Sequence, residues 1–107
     1  IHAAREAASR IEVAPAVMAY LVDVCRATRT SPAVRLGVSP RGATSLLRTA
    51  RVWAFLQGRG FVTPDDVKTM APSTLAHRLG LRAEANLEGI TAVNVISGVL
   101  AATPVPR

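Results

Sequence analysis

Two helix-start signals, each a hydroxyl-bearing residue followed by proline, constrain this chain to a helical fold more than any other feature. They are Ser39-Pro40 and Thr63-Pro64. A serine or threonine side chain caps the free N–H groups of a first helical turn, and proline is well tolerated at the first helical position. Asp65-Asp66 then places two acids at the positive end of the second helix dipole. We therefore predict that a helix begins at each of these prolines.

Apolar side chains recur at helical spacing on both sides of the first signal. Val17, Leu21 and Val24 form the stripe of a predicted helix over 15–28, next to which Cys25 falls. A helix over 40–57 is predicted to stop at the glycines that follow it. Its apolar stripe consists of Ala43, Leu46, Leu47, Ala50, Trp53 and Ala54.

Proline and glycine divide the rest of the chain into short pieces. We expect a third helix over 64–70 to stop at Pro72, because proline disrupts a helix interior. A fourth piece is predicted over 72–79, a connector over 80–89, and a last helix from Thr91 to about Ala101. Short helices with short connections predict an all-α fold, a small helical bundle of four to five short helices.

Charge and cysteine content limit the class of protein. The net charge of +6 is carried by twelve arginines and Lys68, and basic domains often bind nucleic acid or other anions. An arginine-rich coding bias explains the same excess, so a free-standing basic helical module that binds nucleic acid or acts as an adaptor remains the alternative function. The single Cys25 fits a buried thiol in a reducing, cytoplasmic setting. No apolar stretch reaches the roughly 20 residues of a membrane span.

Arg41 is the strongest candidate for a functional residue. It falls in the first turn of the helix that Ser39 caps, where a cation is unfavourable by roughly 0.3–1 kcal/mol. Free backbone N–H groups beside a guanidinium suit an anion, above all a phosphate. Arg48 shares the stripe of Arg41, and Arg51 lies to one side. We interpret these two as solvated or intersubunit residues more readily than as direct phosphate ligands.

The sequence offers no catalytic machinery of its own. It contains no G-x-x-x-x-G-K-[ST] phosphate loop and no strand that ends in paired acids to hold Mg²⁺. His2 and His77 have no cysteine or acid at metal-ligand spacing, so we expect no metal site. We therefore expect no catalytic residues and no ATP hydrolysis by these 107 residues alone.

Several segments together resemble the C-terminal region of MoxR-family AAA+ ATPases. The run from Gly37 to Arg51 resembles the sensor-2 helix of that family, and Gly60 to Lys68 resembles the turn and helix that follow it. The order and spacing of these matches are specific, and they cover most of residues 13–107. Three short runs match further downstream: His77-Arg78-Leu79, Leu87-Glu88-Gly89 and Pro104-Val105-Pro106-Arg107.

The resemblance implies an α-helical lid domain over residues 13–107, with residues 1–12 as a linker or lead-in helix from an AAA+ core outside this sequence. Arg41 maps onto the sensor-2 arginine, which reaches the terminal phosphates of the nucleotide. ATP and Mg²⁺ are then the cofactors of the full-length protein, with no tight binding expected to this segment. The implied partners are the protein's own core, other subunits of a homo-oligomeric ring, and von Willebrand factor A domain proteins. The implied work is chaperone-like remodelling or maturation of partner proteins.

The sequence departs from the family pattern at two places. Gly42 stands where alanine is expected, which allows a close backbone approach but weakens the helix start by up to about 1 kcal/mol. The last helix carries Ala92, Asn94 and Ser97 at positions where relatives tend to be acidic.

Overall fold

Both predicted helix starts are present in the computed structural model, which describes residues 2–106. The Ser39 hydroxyl accepts a hydrogen bond from the backbone N–H of Gly42 at 3.3 Å. Thr63 and Asp66 form a reciprocal capping box, in which each side chain accepts a hydrogen bond from the other residue's backbone N–H. Local capping chemistry therefore determines where the two helices at the centre of the fold begin.

Helices account for most of the described chain, which confirms the all-α prediction. Among residues 2–106, α3 packs most extensively against α4, while α1 and α2 also contact α3. The elements in chain order are α1 (His2–Ser9), α2 (Pro15–Thr30), β1 (Val34–Leu36), α3 (Pro40–Leu56), α4 (Pro64–Leu75), a 3₁₀ turn (Ala76–Arg78), β2 (Gly80–Leu81), α5 (Ala83–Leu87) and α6 (Ala92–Ala102).

The predicted break at Pro72 is wrong, because α4 continues through this residue to Leu75. Val67, Ala71 and Leu75 are fully buried and lie on one face of the helix, on both sides of the proline. Burying the valine and the leucine stabilises by roughly 1.5–3 kcal/mol each. Together these gains match or exceed the roughly 3 kcal/mol that an interior proline costs. Tertiary packing therefore keeps the helix intact.

Two short strands and α5 lie outside the predicted helices: β1 lies between the first two of them, and β2 and α5 lie in the predicted connector over 80–89. The strands pair antiparallel, with Val34 opposite Leu81 and Leu36 opposite Gly80. Strands of three and two residues are too short for apolar alternation to reveal them. Their pairing joins the chain just before α3 to the chain just after the 3₁₀ turn.

A backbone bridge joins the α1–α2 connection to the α3–α4 connection. The N–H of Glu12 donates to the carbonyl of Gly60 at 3.0 Å, and the N–H of Val62 donates to the carbonyl of Glu12 at 2.9 Å. Ile11 and Val62, beside the bridge, are both buried. The segment that precedes α2 is thus fixed to the bundle by hydrogen bonds as well as by apolar packing.

The core fills the space between α2, α3, α4 and α6. Cys25 is 2% exposed, which confirms the buried thiol, and burial raises its pKa to about 11 against a partial opposing effect of Arg29. Trp53 belongs to the predicted apolar stripe of α3, which favours a core position, but its side chain is only half-buried. The largest fully buried side chains are Tyr20, Leu21, Leu46, Leu75, Ile96, Val24, Val38 and Val67.

Candidate functional site

Arg41 lies in the first turn of α3 and is exposed to solvent. Ser39 precedes the helix in an extended conformation, and Pro40 occupies the first helical position. The Ser39 cap satisfies one backbone N–H of this turn, while the first four N–H groups of any helix lack partners within the helix. The arrangement sets a guanidinium beside the positive end of the α3 dipole, as the sequence predicts.

Residues at the end of α2 anchor Val38, which lies just before α3. The Thr28 hydroxyl accepts a hydrogen bond from the N–H of Val38 at 3.0 Å and donates to the carbonyl of Cys25 at 2.6 Å. The Arg29 guanidinium donates to the carbonyl of Val38 from Nε at 3.2 Å and from Nη2 at 3.1 Å. Both backbone polar groups of the fully buried Val38 are therefore satisfied, and the start of α3 is anchored to α2.

Gly42 allows two side chains to lie directly against the first turn of α3. A Cβ at this position would lie 2.5 Å from Cγ1 of Val38, which is a clash, and 3.4 Å from Cδ of Arg78, which is close contact. The Val38 side chain thus gives a steric reason for glycine at position 42. The stem of Arg78, from the 3₁₀ turn, also lies next to the turn that carries Arg41, at a distance that a Cβ would tolerate.

Three arginines line one cleft beside this turn, which we call the arginine cleft. Its lining residues are Arg41, Thr44, Ser45, Arg48 and Arg78. The cleft is open and has a volume of about 470 Å³. No carboxylate lines it, and the ion pair found among residues 2–106 joins Arg59 to Asp66, outside the cleft. Three guanidinium groups and two hydroxyls without a neutralising acid suit a polyanionic ligand.

The predicted site residues separate into two groups in the structure. Arg48 lines the arginine cleft with Arg41, while Ser39 acts as the helix cap. Arg51 instead lines a neighbouring and mainly apolar groove of about 580 Å³, which Arg48 also borders. This groove lies between α1, α3 and α4, and its other lining residues are Ala8, Ser9, Thr44, Leu47, Thr49, Val52 and Met70.

Sequence reasoning did not identify Arg78 as a site residue. The sequence singles out the run His77-Arg78-Leu79 only through its resemblance to the family. Arg78 lies beside Gly42 although the two residues are 36 positions apart in the sequence. The local signal available in the sequence was the glycine itself, which marks a close approach without naming the side chain that fills it.

The described part of the chain offers neither a cluster of metal ligands nor a membrane span. Within residues 2–106, no three His, Cys, Asp or Glu side chains gather in a way that could hold a metal ion. In that same part, no helix has both the length and the apolar character needed to cross a membrane.

The sequence matches the protein-family model of the AAA lid domain over residues 26–99. It is 44% identical to the uncharacterized protein YeaC of Bacillus subtilis over 81% of this chain and 27% of that protein. It is 33% identical to the chaperone MoxR1 of Mycobacterium tuberculosis over 96% of this chain and 30% of that protein. Among solved structures, a candidate ATPase from Cytophaga hutchinsonii matches with a TM-score of 0.89 and 26% identity, over 95% of this chain and 34% of the other. The chain therefore spans about a quarter to a third of these proteins.

Proposed function

This chain belongs to the AAA lid domain family and resembles the lids of MoxR ATPases, and we propose that it senses the terminal phosphates of ATP held by an adjoining AAA+ core. In this proposal residues 13–107 form the lid and residues 1–12 lead into it from the core. The cofactors are ATP and Mg²⁺, bound mainly by the core. The lid itself supplies no catalytic residue.

The position of Arg41 is the observation that carries the proposal. Its guanidinium is exposed beside the first turn of α3, where backbone N–H groups and the helix dipole favour an anion. The α2 anchor on Val38 and the Ser39 cap fix the turn behind it. A charged group on a lid that closes over ATP can respond to a γ-phosphate, because that phosphate adds negative charge at one end of the nucleotide.

Arg48 and Arg51 have different parts in the proposal. Arg48 lines the arginine cleft and adds positive charge near Arg41, so it supports phosphate binding. Arg51 borders the apolar groove between α1, α3 and α4, which suits contact with protein. We assign Arg51 to the interface with the core or with a neighbouring subunit.

The description of one relative supports a proposal for the work of the whole protein. MoxR1 of Mycobacterium tuberculosis carries the description of a chaperone. We propose that ATP binding and hydrolysis in the core, reported by this lid, drive chaperone-like remodelling or maturation of partner proteins. The assembly would be a homo-oligomeric ring in the cytoplasm, with von Willebrand factor A domain proteins as partners.

Replacing Arg41 in the intact ATPase tests the sensor role. Arg41→Ala is expected to lower ATP turnover or ATP affinity by about 10- to 100-fold, because a hydrogen bond to a charged group contributes about 1.5–3 kcal/mol. Arg26→Ala is the matched control, since Arg26 is exposed on α2 and lines a different surface with Asp23 and Thr103. Turnover and ATP affinity equal to those of the control would remove Arg41 from the mechanism.

A salt titration with nucleic acid separates the alternative function from this one. A basic nucleic-acid module would bind DNA or RNA at low salt and lose affinity steeply as salt rises. The residues that line the arginine cleft include no aromatic side chain on which a base could stack. We therefore expect no such binding by the intact protein.

A further inference from the structure

We propose that Arg78 is a second phosphate ligand of the lid, and that it binds the terminal phosphates of a nucleoside triphosphate together with Arg41. The inference rests on the proposed function, since both arginines would meet the same nucleotide. It adds a ligand from a different element, because Arg41 belongs to α3 and Arg78 to the 3₁₀ turn after α4.

The packing of Arg78 brings its charge to the arginine cleft. Its Cδ lies 3.4 Å from the position that a Cβ on Gly42 would occupy, so its stem runs across the first turn of α3. The side chain is half-buried and lines the cleft with Arg41. A stem held against the helix loses less conformational freedom when the guanidinium binds a ligand, which favours affinity.

The hydrogen bonding of Arg78 leaves the group available to an anion. Its Nε is buried and has no hydrogen-bond partner within residues 2–106, as is also true of Arg51 and Arg59, so the donors that Arg78 can offer to a ligand in the cleft are its terminal Nη groups. No acidic side chain lines the cleft to neutralise the guanidinium. Arginine presents donors in a planar fork that matches phosphate oxygens, so a phosphate in the cleft would supply both acceptors and compensating charge.

The placement of the two arginines on separate elements has a mechanical consequence. A phosphate bound by both would link the start of α3 to the 3₁₀ turn, which follows directly on α4. Loss of that phosphate on hydrolysis would remove the link. Through Arg78, binding or loss of the terminal phosphate would therefore change how α3 and α4 are held relative to one another.

Nucleotide affinities of the intact ATPase test this proposal. Arg78→Met retains an apolar stem over Gly42 and removes the charge, and Arg82→Met makes the same change at an exposed arginine outside the cleft. Calorimetric titration with a non-hydrolysable ATP analogue and with ADP gives two dissociation constants for each variant. For Arg78→Met we expect a loss of about 10- to 100-fold for the ATP analogue, a smaller loss for ADP, and a thermal midpoint equal to that of Arg82→Met.

The outcomes distinguish this inference from the proposed function. If Arg78→Met binds the ATP analogue as Arg82→Met does while Arg41→Ala binds it weakly, Arg78 is no ligand and the sensor role of Arg41 stands. If Arg41→Ala also binds normally, both proposals fail. Equal losses for the ATP analogue and ADP would overturn the assignment to the terminal phosphates.

A second variant covers the case in which Arg78→Met does not fold. Arg78→Lys keeps a long stem and a positive charge but lacks the planar fork. We expect it to fold and to bind the ATP analogue less tightly than the unsubstituted protein. Unchanged affinity in this variant would contradict a role for the guanidinium fork.

Discussion

Replacing Thr28 by valine tests how the start of α3 is held in place. Thr28 is fully buried, and its hydroxyl accepts the N–H of Val38 at 3.0 Å. Valine has nearly the same shape but no acceptor, so Thr28→Val leaves a buried N–H without a partner. Such a loss costs about 1–3 kcal/mol. For a chain of this size, each 1 kcal/mol lowers the midpoint of thermal unfolding by about 4–8 °C.

Two control variants isolate the hydroxyl in this experiment. Thr30→Val makes the same substitution two residues later on α2, where the side chain is exposed and its hydroxyl donates to the carbonyl of Ala27. Thr28→Ser keeps the hydroxyl and removes one buried methyl, at a cost of about 0.8 kcal/mol. Urea unfolding followed by circular dichroism gives the free energy of unfolding of each variant. A difference of less than about 0.5 kcal/mol between Thr28→Val and Thr30→Val would refute the anchoring argument.

Two further predictions concern glycine and cysteine. Gly42→Ala is expected to destabilise the fold by about 1–3 kcal/mol through the clash with Val38. Gly98→Ala, in open space on α6, is the control and should stabilise the fold by about 0.4–1 kcal/mol. Equal free energies of unfolding for the two variants would contradict the steric argument. Cys25 should resist iodoacetamide in the folded chain and react once urea unfolds it, because burial keeps the thiol protonated. The raised pKa of Cys25 contributes stability that is present below the ordinary value of 9.0 and is lost as the pH rises to about 11. The difference between the unfolding midpoints of the unsubstituted chain and Cys25→Ser should therefore change between pH 8 and pH 11. A difference that stays the same at the two pH values would contradict this prediction.

The sequence predicts those parts of the fold that depend on neighbouring residues. Ser39-Pro40 and Thr63-Pro64 mark helix starts because capping is a local interaction. The prediction at Pro72 is wrong because the apolar contacts that keep α4 intact come from other elements, mainly α3, and not from the sequence around the proline. Strands β1 and β2 are not predicted because each is too short to show the alternation of apolar and polar residues that marks a strand.

The same distinction applies to the candidate site. Arg41 and Arg48 belong to one helix and lie two turns apart, so helical periodicity places them on one face. Arg78 comes from the 3₁₀ turn, and its approach to Gly42 depends on how α4 packs against α3. Residues brought together by helix packing cannot be paired from periodicity alone. Thr28 was missed similarly, since its partner Val38 lies beyond a loop.

The backbone bridge between Glu12 and the α3–α4 connection determines where the polypeptide can bend. Glu12 is bonded to Gly60 and Val62 and Ile11 is buried, so a bend between α1 and α2 that keeps these contacts is confined to the residues before Ile11. A pull on the chain at Glu12 acts on the α3–α4 connection through these hydrogen bonds as well as on the start of α2. The α1–α2 connection is therefore held at Glu12 to the α3–α4 connection as well as to the start of α2.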